Sequence, residues 1–293
     1  MTLQIARVLY FILYADDTNL FFSDNDLSRL MNTVNSELLK LAEWFRANKL
    51  SLNVKKTHYM IFHQGRVKHM HQNFNIIIDG YKINEVATTK FLGVTIDNKL
   101  NWKSHIFELS SKLCKNIGVM YKVRPFVSEG TMMMLYNALI LPHLTYCNVV
   151  WGCTSKIYID KLFKLQKRAL RIITFSPYRT HTLPLFKKLR ILRIMDINSL
   201  QLALAMFDVI KDKDSVMHSR LSEHLKITSQ IHSYNTRSSS QLCIPAARTN
   251  LTLRSFKVMG VKLWNSLSPE IKDSKTKLIF KRLYINSIID SYI

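Results

Sequence analysis

Hydrophobic positions change period three times along the chain. Residues 8–14 and 18–22 are runs of aromatic and branched side chains separated only by Ala15, Asp16 and Asp17, which predicts a β-hairpin turning at the two acids. Leu27, Leu30, Met31, Val34, Leu38, Leu41 and Phe45 then recur at spacings of three and four, the stripe of a core-facing helix, with Ser23 or Asp24 as its N-cap. "LSLNVKKTHYMIF" alternates and predicts a strand pair. "NIIIDGYKI" carries a tight turn at Asp79-Gly80. "TTKFLGVTIDNKL" predicts one further strand over 91–96, turning at Asp97-Asn98. From Trp102 onward the period is helical, over 104–123, 128–140 and 156–174, with loops at 148–155 and 176–181. Residues 183–211 read as two helices, 229–240 as a polar turn region, and a last helix starts near Lys275. The expected fold class is α+β: antiparallel hairpins and a helix up to about residue 100, then a mostly α-helical remainder.

Composition supports a folded chain. Of 293 residues 47% are hydrophobic and 11% aromatic, too many for a mostly disordered polypeptide, and 7 glycines with 6 prolines favour helices over a loop-rich β fold. Charge changes the picture more. The chain carries 42 Lys+Arg against 20 Asp+Glu, net +22. Residues 1–100 hold 12 basic and 9 acidic side chains, whereas residues 101–293 hold 30 and 11. A folded, strongly basic chain points to a polyanion, nucleic acid above all. A membrane surface is the rival, but neither end shows a basic amphipathic helix with anchoring aromatics, and no stretch nears the roughly 18 apolar residues of a span. Residues 8–15 are too short for a signal-peptide core and run straight into the acids, so the chain reads as intracellular, nuclear or cytoplasmic. Cys114, Cys147, Cys153 and Cys243 form no C-x-x-C, and are expected to be buried free thiols rather than metal ligands beside His143.

The acid pair is the chemical question. Adjacent carboxylates repel, and the arrangement makes sense when a divalent cation, Mg²⁺ or Mn²⁺, holds them. Two such ions about 4 Å apart could activate an attacking hydroxyl and stabilise a leaving oxygen in phosphoryl transfer. The plainer alternative is a solvated Asp-Asp turn.

Context favours the first reading. Tyr14-Ala15-Asp16-Asp17 in its aromatic setting resembles motif C of the reverse transcriptases of LINE-type (non-LTR) retrotransposons, near the jockey-like group. "LAEWFRANKLSLNVKKTHYMIF" is similar to the following helix and motif D, and "KFLGVTIDNKLNWKSHI" to motif E and the start of the thumb. "LILPHLTYCNVVWG", "LQKRALRII", "HSYNTR" and "GVKLWNSL" are similar to stretches beyond it. The resemblance implies that Asp16 is the principal metal ligand, Asp17 its outer partner, and Tyr14 a neighbour of the primer end. It implies that Lys56 assists the departing pyrophosphate, with Lys55 competing for that role, and that Gly93 lies in a primer-grip segment. It implies a partial palm over 1–100, a helical thumb-like region over 101–181 and a C-terminal helical region over 182–293. Trp264 is expected in the core, and Arg237 could contact phosphate.

The earlier strand with a third carboxylate and the fingers of that family have no counterpart in these residues. The chain is therefore expected to be the C-terminal portion of an RNA-directed DNA polymerase, inactive alone. Its partners are expected to be an RNA template with a DNA primer or their hybrid, with dNTP only when fingers are supplied. The alternative is a non-catalytic basic nucleic-acid binder derived from a mobile element. Independent of the resemblance, projecting 156–173 at 100° per residue puts Tyr158, Leu162, Leu165, Ala169 and Ile172 on one face and Lys161, Lys164, Lys167, Arg168 and Arg171 on another. That is the pattern of a helix packed on one side and tracking phosphates on the other.

Overall fold

The aromatic runs pair where their pattern puts them. In the computed structural model, which describes residues 10–15, 17–62, 75–230 and 241–292, β1 (Tyr10–Tyr14) and β2 (Asp17–Phe21) form an antiparallel hairpin, with Tyr10 opposite Phe21 and Tyr14 opposite Asp17. Helix α1 (Leu27–Ala47) follows. Its N-cap is Asp26, not Ser23 or Asp24. Asp26 is the extended residue directly before the first helical turn, and its carboxylate accepts from the Arg29 backbone N–H at 2.9 Å. Asp24 instead takes the Arg29 guanidinium at 2.7 and 2.9 Å, an ion pair that holds its carboxyl below the usual range.

The apolar stripe of α1 buries Met31, Val34, Leu38 and Leu41 against a small sheet. Strands β3 (His58–Tyr59), β4 (Ile76–Ile78) and β5 (Tyr81–Glu85) are ordered β3-β5-β4, with β3 parallel and β4 antiparallel to β5. The β4–β5 turn falls at Asp79-Gly80, both left-handed (φ 50 and 79), the geometry a two-residue hairpin needs. The Asn35 amide pins α1 to this sheet, accepting from Ile77 N and donating to Asn75 O, each at 3.0 Å. The expected strand pair in "LSLNVKKTHYMIF" reduces to the two residues of β3. The backbone over 53–57 closes on itself instead, Lys56 N and Thr57 N both bonding Asn53 O.

The single strand expected over 91–96 is also broken. It is two strands, β6 (Thr88–Phe91) and β7 (Val94–Asp97), because Leu92 and Gly93 are both left-handed (φ 44 and 79). Here the chain passes between two compact units, the first reaching Phe91 with Asp97–Lys99, the second holding Leu92–Ile96 and everything from Leu100 onward.

The second unit is helical: α2 (Lys103–Val123), a 3₁₀ turn at Arg124–Phe126, α3 (Glu129–Leu139), α4 (Leu141–Thr145), α5 (Asn148–Trp151) and α6 (Lys156–Ile173). Then come α7 (Leu183–Lys188), α8 (Ile194–Lys211), α9 (Val216–Leu221), α10 (Asn250–Leu253), α11 (Phe256–Ser266), α12 (Pro269–Lys272) and α13 (Lys277–Asp290). Residues 148–155 are thus not all loop. The α5 turn sits there because left-handed Cys147 breaks the chain after α4 and the buried Asn148 amide bonds Leu144 O and Asn198. One core joins Ile106, Leu113 and Met120 of α2 to Met132 and Tyr136 of α3, Leu162 and Leu170 of α6, Ala203 of α8, Trp264 of α11 and Phe280 of α13. The chain end is tied in by Tyr292, whose hydroxyl accepts from Arg193 N and donates to Asp196. The four cysteines are free, but Cys114 is exposed and the others half-buried, so the expectation of buried thiols fails. No described helix is long and apolar enough to cross a membrane.

Two glycines of this unit separate packing from propensity. A Cβ on Gly152 would collide with Asn198 Nδ2 and Asn148 O, so Gly152→Ala is expected to cost about 2–3 kcal/mol in urea unfolding. Around Gly118, inside α2, there is open space, so Gly118→Ala should stabilise by about 0.5–1 kcal/mol.

Alkaline pH is a second test. Burial pushes the phenols of Tyr136, Tyr284 and Tyr292 up, that of Tyr284 to about 12. The folded chain then holds these protons above the unfolded value of about 10. Their contribution is complete below about pH 10 and is lost as pH rises through the folded values. Urea midpoints should fall between pH 9 and 11.5, and Tyr284→Phe should flatten that fall.

Candidate functional site

The acidic hairpin offers its chemistry at the tip. Tyr14 and Asp17 are the last pair of the β1–β2 ladder, and Tyr14 is 61% exposed, so its ring is not strand core. Asp17 is exposed as the first residue of β2. Asp16 lies outside the described residues, as does Arg237. Carboxylates are the hard oxygen donors that Mg²⁺ or Mn²⁺ takes, and an exposed Asp17 suits one ligand position. Among the described residues no group of three or more His, Cys, Asp or Glu could hold a metal. Lys56 is exposed in the turn before β3, and its carbonyl meets His58 Nδ1 at 2.9 Å. Among the described residues no ion pair joins Lys56 to Asp17.

Gly93 belongs to the second unit. Its φ of +79 accounts for glycine there, since a Cβ would meet the Tyr146 ring only at an ordinary 3.6 Å. The Tyr146 hydroxyl donates to Leu92 O at 2.7 Å and holds the turn. Gly93, His105, Glu108, Lys112, His143 and Tyr146 line a cavity of about 250 Å³. Burial lowers the His105 pKa, and His105 Nδ1 accepts from Thr95 N at 3.3 Å, which leaves the proton on Nε2. His143 is lowered by burial and, secondarily, by the Lys112 ammonium.

Helix α6 brings the five expected basic residues onto one arc. Lys164 and Arg168 are exposed, while Lys161, Lys167 and Arg171 are half-buried. The opposite arc buries Ile159, Leu162, Gln166, Ala169, Leu170, Ile172 and Ile173. The seam is centred further round than the sequence pattern suggested: Tyr158 and Leu165 are only half-buried, and the polar Gln166 sits in the middle.

The half-buried cations are not idle. Lys161 Nζ lies 3.6 Å from the ring centroid of Phe107 on α2, and Lys167 Nζ 4.3 Å from that of Phe163. Past the helix end, Arg124 stands 4.9 Å over Phe175, and Arg171 stands 5.8 Å from Tyr178 while its Nε donates to Thr180 O at 3.0 Å. Sequence reasoning read 176–181 as a connector, gave no role to Phe175 just before it, and missed both rings. No local pattern marks them: "TFSPYRTH" holds two aromatic rings and one arginine, and the cations that meet those rings, Arg124 and Arg171, lie outside it.

Comparison with known proteins agrees with the family resemblance. The chain is 26% identical over 171 residues, 56% of its length, to "Probable RNA-directed DNA polymerase from transposon BS" of Drosophila melanogaster. It is 23% identical over 186 residues, 62% of its length, to "RNA-directed DNA polymerase from mobile element jockey" of the same species. A jockey polymerase of Drosophila funebris is 22% identical over 214 residues, 72% of the chain. The chain spans about a fifth of the length of these curated relatives (18%, 20% and 22%). No protein-family model matches it, and no solved structure is significantly similar. The chain is similar to the RNA-directed DNA polymerases of non-LTR transposons, and that resemblance is borne out.

Proposed function

We propose that these residues form part of the reverse transcriptase of a non-LTR mobile element and that their own task is to hold nucleic acid. In this reading residues 1–100 are a partial palm, 101–181 a thumb-like grip and 182–293 a helical C-terminal region. The observation that carries it is α6, with five cations on one arc and an apolar seam on the other. Such a surface follows a phosphate backbone by charge and groove shape, so an RNA–DNA hybrid is bound with little sequence preference and strong salt dependence.

Asp16 and Asp17 are assigned to a divalent cation, Mg²⁺ or Mn²⁺, which when bound would supply the phosphoryl-transfer chemistry of such enzymes. Tyr14 pairs with Asp17 at that tip and offers an exposed ring to the primer end. Gly93 is assigned to the primer grip and Lys56 to the departing phosphates. Template, primer and dNTP are partners of the whole enzyme. The 293-residue polypeptide is assigned no third carboxylate, so it is expected to bind hybrid without copying it.

Fluorescence anisotropy with a labelled RNA–DNA hybrid tests the grip. Lys164→Glu with Arg168→Glu should weaken binding about tenfold or more at low salt, and should reduce the slope of log K against log salt by about 2. Affinity unchanged by the double substitution would sink this reading of α6. Primer extension tests the second point. With RNA template, DNA primer, dNTPs and Mg²⁺ or Mn²⁺, no product is expected, and template-dependent synthesis would refute the inactivity.

A further inference from the structure

We infer that the segment following α6, residues 174–181, is a stacking site for unpaired bases of single-stranded nucleic acid. The inference rests on the reading that this face meets nucleic acid, but it assigns the segment a different ligand feature, base faces instead of phosphates.

Two rings stand out of this loop. Tyr178 is 82% exposed and Phe175 43% exposed, in a segment with no described strand or helix to bury them. Each ring has a guanidinium near it, Arg124 at Phe175 and Arg171 at Tyr178. A cation beside one part of an open ring leaves the rest available for another flat group. The setting selects a polyanion as the carrier of that group: from Asp160 to Asp196 the intervening residues include ten Lys or Arg and no Asp or Glu. An exposed aromatic beside cations is how proteins take bases that have left a duplex, because every base offers a π-face while a paired base hides it.

The loop is also built before any ligand arrives. Ser176 N bonds Arg171 O at 3.0 Å, the Thr174 and Ser176 hydroxyls meet at 2.8 Å, and Thr180 N bonds Pro177 O at 3.1 Å. Arg171 Nε closes the far side on Thr180 O at 3.0 Å. Little ordering entropy is left to lose on binding.

The test uses the whole polypeptide and anisotropy with four labelled probes: a 15-nucleotide RNA, the same DNA, an abasic DNA of equal length, and an RNA–DNA hybrid. The unsubstituted chain should bind the base-bearing strands about tenfold more tightly than the abasic one. Phe175→Ala with Tyr178→Ala should weaken single-strand binding about tenfold or more, and leave hybrid and abasic affinities within about twofold. The ring-preserving variant Phe175→Tyr with Tyr178→Phe should bind as the unsubstituted chain does, which separates lost stacking from lost fold. A loss confined to RNA or to DNA supports the inference and identifies the strand. Equal affinity for abasic and base-bearing strands, or single-strand binding untouched by the double alanine variant, overturns it. Failure to bind hybrid while single strands still discriminate overturns the phosphate-grip reading alone.

Discussion

The rotation of α6 about its own axis is fixed by one buried amide. Gln166 is 1% exposed and has both amide donors and its oxygen engaged. Its Nε2 donates to the Tyr136 hydroxyl at 2.9 Å and to Leu192 O at 2.8 Å, and its Oε1 accepts from Ile194 N at 2.9 Å. Three segments therefore meet at one side chain: α3, the middle of α6, and the approach to α8. Turning α6 by even one residue step would strand those donors and acceptors in the core, at about 1–3 kcal/mol for each group left unmade. Hydrophobic packing alone is less selective, because Leu, Ile and Ala tolerate small rotations. The amide is thus what turns a generally amphipathic helix into one with a defined outward arc, and that arc carries Lys164 and Arg168.

The same constraint explains how so much positive charge is tolerated. Like charges gathered on one surface oppose the folded state. The second unit offsets this with an apolar core running from α2 to α13, and with rings that accept cations: Phe107 under Lys161, Phe163 near Lys167, Phe175 under Arg124. These rings let Lys and Arg lie along the surface without acidic partners. Acidic partners would cancel the field. A basic face supported by aromatic rings stabilises the fold and stays attractive to phosphates.

How much of this was legible depends on range. The β1–β2 hairpin, the Asp79-Gly80 turn, and the long helices α1, α2, α3 and α6 follow from local period and turn chemistry, and all are present. The misses share a cause. The N-cap at Asp26, the break at Leu92-Gly93, the collapse of the expected strand pair to His58–Tyr59 and the α5 turn at Asn148 are each decided by one residue's backbone or by a partner far along the chain. Gln166 is the clearest case. A polar residue in an apolar stripe reads as noise until Tyr136, Leu192 and Ile194 are brought to it. For the candidate site, residue types were readable, as five cations on one arc. The rings that accompany them were not, because Phe107 and Phe175 meet their cations only after α2 packs on α6.

Glycine scarcity supplies a further argument about residues 174–181. With 7 glycines in 293 residues, the chain makes many of its sharp turns with other residues. Among the described residues nine non-glycines have positive φ, nearly all at element boundaries. An L-residue there costs about 1–2 kcal/mol, least for Asn or Asp and more for bulky side chains. Asp79 fits its turn cheaply, and Trp102 recovers the cost by being buried. Phe175 does neither. It holds φ 54 with its ring half open to solvent beneath Arg124, at a position where glycine or asparagine would end α6 with less strain. The left-handed residue closes α6, with Ser176 N bonding Arg171 O, and α1 and α7 end in the same way at Lys49 and Arg190, so the backbone accounts for the turn while the exposure of the Phe175 ring is set apart from it.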